Sequence, residues 1–171
     1  HKETGSGVIY CVNGDGSAGA GERDAEATIW RRGVDGTVSA RPLGIGAVHA
    51  MHGSQLGGLS QYGHAMLWLD STEEGFVDLA VRRAQTSMVT GTIGSSQVGW
   101  ALFGRPKRWH VGVIWHSNAR FGYYSPLGDD GASLDVRFTC VEGVGTVAGI
   151  VGAIWVARKT PHALLGIGNL Q

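Results

Sequence analysis

A tryptophan that recurs in one sequence context is the strongest constraint on how this chain can fold. Four of the six tryptophans follow a branched aliphatic residue and have alanine or glycine three positions earlier: Trp30, Trp68, Trp115 and Trp155. They are 38, 47 and 40 residues apart. Periods of this length are typical of proteins in which each repeat is one supersecondary unit. The sequence therefore predicts a single repeat domain of four units, with approximate bounds 8–45, 46–85, 86–131 and 132–171.

Two further residue pairs accompany each tryptophan. Upstream, alanine, leucine or valine precedes glycine, at Ala18-Gly19, Leu56-Gly57, Val98-Gly99 and Val144-Gly145. Downstream, leucine precedes glycine or alanine, at Leu43-Gly44, Leu79-Ala80, Leu127-Gly128 and Leu165-Gly166. The third unit is longer than the others because extra residues fall within 101–109.

Each unit divides into four short apolar stretches separated by turn residues. In the second unit these stretches are roughly 47–51, 55–59, 64–68 and 76–81. Such segments are too short for helices and are typical of β-strands. One sheet cannot cover both of its own faces, so the copies must stack, and radial stacking gives one propeller blade per repeat. The sequence predicts an all-β, four-bladed β-propeller built from four-stranded antiparallel units.

Composition and motifs narrow the range of functions. Charged residues make up 16% of the chain, with 14 Lys and Arg against 14 Asp and Glu. Without a basic field we expect no nucleic-acid partner. No apolar run reaches the roughly 20 residues of a transmembrane helix, so we expect no membrane span. The nucleophile-elbow, phosphate-loop and dinucleotide-binding motifs do not occur in the expected contexts, so the sequence predicts no cofactor.

The second unit resembles the bacterial HAF extracellular repeat. The resemblance rests on 53–58, on His64-Ala65-Met66-Leu67-Trp68 and on Val77-Asp78-Leu79. The family pattern is a Val-Gly strand, then H-A-F-L-W, then a D-L-G ending. At the position of His64 the other units have Glu26, Val111 and Val151. The resemblance implies a propeller-like all-β fold in a secreted or cell-surface protein of bacteria.

The extra residues of the third unit form the most distinctive candidate site. Cations and aromatic residues cluster there, and we expect a ligand-binding loop formed by Arg105, Lys107, Arg108, Trp109 and His110. Trp109 could stack on a sugar or a base while the cations bind an anion. Asp129 and Asp130 would lie on the same face of the disc. The alternative is a solvated turn whose tryptophan packs on its own blade, with an Asp-rich turn beside it.

The histidines and cysteines leave alternatives open. His49, His52 and His64 fall within one unit, but metal-binding spacing and carboxylate or thiolate companions are missing, which favours structural roles. His1 could chelate copper as a free N-terminus. Cys11 and Cys140 lie on the first strands of the first and last units, which are neighbours in a closed ring. They are predicted either to form a disulfide or to be buried thiols.

Two functions from different classes follow from these features. The first is a secreted or surface binding module that recognises a glycan or a protein partner through one face of the propeller, as a monomer or an edge-to-edge dimer. The second is an extracellular enzyme that acts on polysaccharide, with a carboxylate or a His-bound metal at the channel mouth.

Overall fold

The computed structural model describes residues 6–69, 75–94, 96–104, 108–116, 120–124, 135–144, 147–155 and 161–169, with side chains described as far as Trp115. The described residues contain β-strands and no helix. None of them forms a helical segment that could span a bilayer. The predicted all-β class is therefore confirmed.

The strands alternate with short turns throughout the described residues. Their bounds are β1 Gly7–Val12, β2 Ala18–Arg23, β3 Glu26–Arg32, β4 Val38–His52, β5 Gln55–Ser60, β6 Ala65–Leu69, β7 Phe76–Asp78, β8 Thr86–Ile93, β9 Ser96–Phe103, β10 Trp109–His116, β11 Arg120–Tyr124, β12 Asp135–Val144, β13 Val147–Trp155 and β14 Pro161–Asn169. In the second unit, the observed strands lie within a few residues of the predicted ones.

The strands pair antiparallel with their neighbours in sequence. They form a seven-stranded sheet from β1 to β7, a four-stranded sheet from β8 to β11 and a three-stranded sheet from β12 to β14. The long strand β4 pairs with β3 as far as Ile45 and with β5 from Gly46 onward. It is thus the last strand of unit 1 and the first strand of unit 2. We use the names units 1 to 4 for β1 to Ile45, Gly46 to β7, β8 to β11 and β12 to β14.

Every unit carries a β-bulge at the same place on its first strand. The register shifts after Ile9, Val48, Val89 and Phe138. Each of these residues pairs with a glycine on the second strand, which is Gly21, Gly58, Gly99 or Gly152. A bulge bends its strand and increases the local twist, so its recurrence shows that the four units share one backbone design.

The units stack face to face in chain order. Strand β8 contacts β4, β5 and β6, and β12 contacts β8, β9 and β10. One buried cluster lies between units 1 and 2 and contains Ala18, Ala20, Ala27, Ile29, Val48, Leu56, Met66 and Trp68. A second lies between units 2 and 3 and contains Ala65, Leu67, Leu79, Val81, Val89, Ala101, Val113 and Trp115. Alternate residues of β6 belong to opposite clusters, so unit 2 buries both of its faces, as the repeat predicted.

The register corrects the sequence alignment of the repeats. Trp30, Trp68 and Trp115 lie on third strands, two residues beyond the partner of the bulge glycine. Trp155 was placed with them but lies on β13, a second strand, where it pairs with Asp135 and Pro161. The apolar run 147–155 contains no turn signal of the kind found at 24–25 or 60–63, so it continues as one strand. The glycine pairs predicted for units 1, 2 and 4 were likewise wrong, because Gly21, Gly58 and Gly152 hold the position that Gly99 holds in unit 3.

Candidate functional site

The turns between second and third strands lie beside the links between units, along one edge of the stack. The Gly46 amide donates to the Ala25 carbonyl at 3.1 Å, which joins the first turn to the first link. The Ser87 amide donates to the Gly63 carbonyl at 2.7 Å, and the Gln85 amide donates to the Leu102 carbonyl at 2.7 Å. We call this surface the loop edge; it comprises residues 24–25, 43–46, 60–64, 79–86 and the end of the β9–β10 hairpin.

The loop edge opens into a cavity between units 1 and 2. Its volume is about 330 Å³, and it is lined by Leu43, Gly44, Ile45, Ser60, Gln61, Tyr62, His64, Met66, Trp68, Phe76 and Asp78. One wall is the last strand of unit 1. The other is the face of unit 2 on which His64, Met66 and Trp68 alternate with the residues that face unit 3. The cavity therefore exists because two units stack.

A histidine and a carboxylate form the polar pair of this cavity. His64 Nδ1 lies 3.2 Å from Asp78 Oδ2, and both side chains are about half exposed. The other carboxylate oxygen, Oδ1, accepts a hydrogen bond from the Ala80 amide at 2.8 Å. Two partners thus orient Asp78, while the exposure of the pair leaves both groups accessible to a ligand.

Two exposed aromatic rings flank the pair. Tyr62 is 74% exposed and Phe76 is 62% exposed. The Tyr62 and His64 rings lie 6.4 Å apart at an angle of 52°. The turn that carries Tyr62 is anchored by Ser60, whose hydroxyl accepts from the amides of Tyr62 and His64 at 3.3 Å each. An ordered turn that presents a large apolar ring to solvent is an arrangement suited to stacking on a ligand.

The described residues of the predicted binding loop of unit 3 lie further along the same edge. Trp109 is 37% exposed and stacks on Phe103, its partner in the hairpin register, with ring centres 6.4 Å apart. His110 meets Trp100 edge to face at 5.0 Å. Arg108 is exposed. Trp109 thus packs on its own hairpin and still offers part of its ring. The remaining predicted residues, Arg105, Lys107, Asp129 and Asp130, lie outside the described residues.

The structure separates the histidines that the sequence grouped as metal candidates. His49 occupies the bulge of β4 and stacks on Tyr10, the bulge residue of β1, at 4.6 Å. Burial lowers the pKa of His49, and the nearby Glu22 opposes that shift. His52 is exposed at the end of β4, His64 pairs with Asp78, and His1 lies outside the described residues. Across the described part of the chain, no group of three or more His, Cys, Asp or Glu could hold a metal.

Cys11 is a free thiol in contact with the core between units 1 and 2. Its sulfur lies 3.6 Å from the Ala20 carbonyl oxygen, on the face of unit 1 that unit 2 covers. Burial raises the pKa of this thiol to about 11, while hydrogen bonding to the backbone of Ala20 has a smaller, opposite effect. Of the two alternatives for this residue, the structure shows the partly buried thiol.

We expect Cys11 to react slowly with thiol reagents at neutral pH, because the thiolate is the reactive form. Since the folded-state pKa is raised, the stabilisation from the neutral buried thiol is complete below pH 9.0 and is lost as the pH rises toward 11. The measurement is the rate of iodoacetamide labelling in a Cys140→Ala background, before and after denaturation. Equal rates in the folded and unfolded protein would contradict the prediction.

Sequence reasoning did not select Tyr62, Phe76 and Asp78 as site residues. His64 and Asp78 were visible as parts of the repeat pattern, but they are 14 residues apart and belong to different strands. Only the pairing of β6 with β7, in which Met66 faces Asp78, places them on one face.

Comparison with protein-family models, curated proteins and solved structures found no match to this chain.

Proposed function

We propose that this protein is a secreted or cell-surface binding module that recognises a glycan at the loop edge, centred on the cavity between units 1 and 2. The observation that supports this proposal is the placement of Tyr62 and Phe76, both largely exposed, beside the His64–Asp78 pair. A sugar has an apolar C–H face that can stack on aromatic rings, and hydroxyls that hydrogen-bond to carboxylate and imidazole.

The volume of the cavity and the net charge of the chain also fit a glycan ligand. A volume of about 330 Å³ lies at the lower end of the range for small-ligand sites, which is about 300–1,000 Å³. The chain has a formal net charge of +0, so long-range attraction for a strongly charged ligand is weak. Trp109 and Arg108 lie further along the edge, where a longer glycan could extend.

We also propose that the four units of each chain are propeller blades around a common axis. Propeller blades pack face to face in chain order, as these units do. This arrangement brings the strand 2–3 turns and the links of successive blades to one face of a disc. The resemblance of unit 2 to the HAF extracellular repeat supports the proposed secreted or surface location.

A polysaccharide-acting enzyme is the alternative. Glycoside hydrolysis commonly uses two carboxyl groups on opposite sides of the scissile bond. Among the described residues that line the cavity, Asp78 is the one carboxylate. Binding without cleavage is therefore the function that the described geometry supports best.

Binding is tested with a glycan array, followed by calorimetry on the best ligand. We expect Tyr62→Ala to weaken binding about tenfold, equivalent to about 1.4 kcal/mol, because the stacking surface is lost. Tyr62→Phe keeps the ring and should stay within about twofold of the wild type. Asp78→Asn should weaken binding by about tenfold or more, because a hydrogen bond to a charged acceptor is lost.

Controls separate the site from the rest of the surface. Val34 is fully exposed on the β3–β4 turn, and Val34→Ala should bind like the wild type. Release of reducing ends from the bound glycan would favour the enzyme. If Tyr62→Ala and Asp78→Asn both bind the glycan as the wild type does, the glycan is bound elsewhere. If the array shows no glycan binding and the protein captures a protein ligand, the ligand is a protein rather than a glycan.

A further inference from the structure

The face of unit 1 that points away from unit 2 is partly exposed. Ile9 and Trp30 lie on this face, because a Cβ built on Gly19 would meet Ile9 at 3.1 Å and because Gly19 pairs with Trp30. The neighbouring residues Ala18 and Ala20 belong to the cluster on the other side of the sheet. We call Ile9 and Trp30, with the buried Gly19 beneath them, the open face.

The same register positions are buried in the next two units. Ile9 corresponds to Val48 and Val89, since each precedes the bulge and pairs with the bulge glycine. Ile9 is 53% exposed, whereas Val48 and Val89 are 0% exposed. Trp30 is half-buried, while its equivalents Trp68 and Trp115 are buried in the two inter-unit clusters. In units 2 and 3 the preceding unit covers these positions, so the open face has the composition of an inter-unit interface without its partner.

The surface that receives such a face is also defined by the repeat. Val48 and Trp68 of unit 2 pack in one cluster with Ala27 and Ile29 of unit 1. Val89 and Trp115 of unit 3 pack with Ala65 and Leu67 of unit 2. In both interfaces, a small residue and a branched aliphatic residue two positions later accept the tryptophan and the valine of the following unit.

Unit 4 repeats this receiving pattern on its last described strand. Gly152 pairs with Phe138 at the bulge and with Leu164 on β14, as Gly21 pairs with Ile9 and Thr28. Ala163 and Leu165 therefore occupy the register positions of Ala27 and Ile29. Unit 1 thus carries a tryptophan-bearing face, and unit 4 carries a strand of the receiving pattern.

We infer that the open face docks on unit 4 of a second copy of this chain. Within one chain, β12 packs on unit 3 and Ile9 stays half exposed, so the described strands of unit 4 leave Ile9 uncovered. In a dimer with a twofold axis, the open face of each copy packs on unit 4 of the other copy. Both open faces are then covered. The contact is head to tail and closes after two copies, which gives a ring of eight units. This inference is independent of the ligand proposed for the cavity.

The mass in solution tests the dimer. Light scattering during size exclusion should give twice the 18.0 kDa chain mass at the highest soluble concentration. Ile9→Arg should halve this mass without changing the circular dichroism spectrum, because a charge on the open face opposes docking. Val34→Arg, at a fully exposed position outside the open face, should remain dimeric. A wild-type monomer, or a dimer that survives Ile9→Arg, would overturn the inference.

Cross-linking separates a second copy from closure within one chain. In a Cys11→Ala, Cys140→Ala background, one chain carries Ile9→Cys and another carries Leu165→Cys. Mixing the two should give a disulfide-linked heterodimer on mild oxidation, because Ile29 and Val48 at the equivalent positions share one cluster. A third chain carries both substitutions. If this chain forms only an internal disulfide and the mixture of single variants stays unlinked, the inference is overturned in favour of a four-unit ring.

Discussion

Trp115→Ala is expected to lower the free energy of unfolding by about 3–5 kcal/mol, which is the usual loss when a large buried aromatic side chain is removed. Trp115 is fully buried in the cluster between units 2 and 3. Its indole Nε1 also donates to the carbonyl of Leu79, in the link that follows unit 2, at 3.0 Å. The substitution would therefore remove packing and a hydrogen bond across the same interface. Since small domains are stable by about 5–15 kcal/mol, much of the total would be lost.

Denaturant unfolding followed by circular dichroism measures this loss. Trp109→Ala is the matched control, because Trp109 is a tryptophan of the same unit that is partly exposed at the hairpin. It should lose clearly less stability than Trp115→Ala. The loss of stability for Trp115→Phe should fall between those of the two alanine variants, since phenylalanine keeps an aromatic ring. It leaves the Leu79 carbonyl without its donor, which costs about 1–3 kcal/mol. Equal losses for Trp115→Ala and Trp109→Ala would contradict the structural role given to Trp115.

Gly58→Ala is expected to destabilise the fold by about 3 kcal/mol or more, at the upper end of what single substitutions usually do. A Cβ built on Gly58 would overlap the carbonyl oxygen of Ala47 on the paired strand. The obstacle is backbone at the bulge, which cannot move aside as a side chain could. Gly21 and Gly99 occupy the same position, and a Cβ there would overlap the carbonyl oxygens of Val8 and Met88.

The control for this prediction is Gly14→Ala. Gly14 lies in the β1–β2 turn, and a Cβ built there meets nothing within 4 Å. Its substitution should change stability by no more than about 0.5 kcal/mol, as for other surface positions. The two variants are compared by the midpoint of denaturant unfolding with the slope held common. Similar midpoints for Gly58→Ala and Gly14→Ala would show that the close approach at the bulge does not constrain the fold.

The candidate site could be predicted only in part. The hairpin with Arg108 and Trp109 was recognisable because its residues are contiguous, and the structure places part of the Trp109 ring at the surface. The cavity with Tyr62, Phe76 and Asp78 was not recognisable, because its walls come from two units. Alternation along a strand predicts which residues share a face, but it does not predict what lies opposite that face.

The sequence by itself determined the all-β class and the positions of most strands in unit 2, because turn residues and short apolar stretches act locally. It also led to an error at Trp155, where residue spacing imitated a repeat that strand pairing does not support. Only the tertiary structure decided the bulge register, the separation of the histidines, the cavity and the open face. These depend on which backbone groups pair and which faces meet, and such long-range contacts are set by the packing of whole sheets rather than by neighbouring residues.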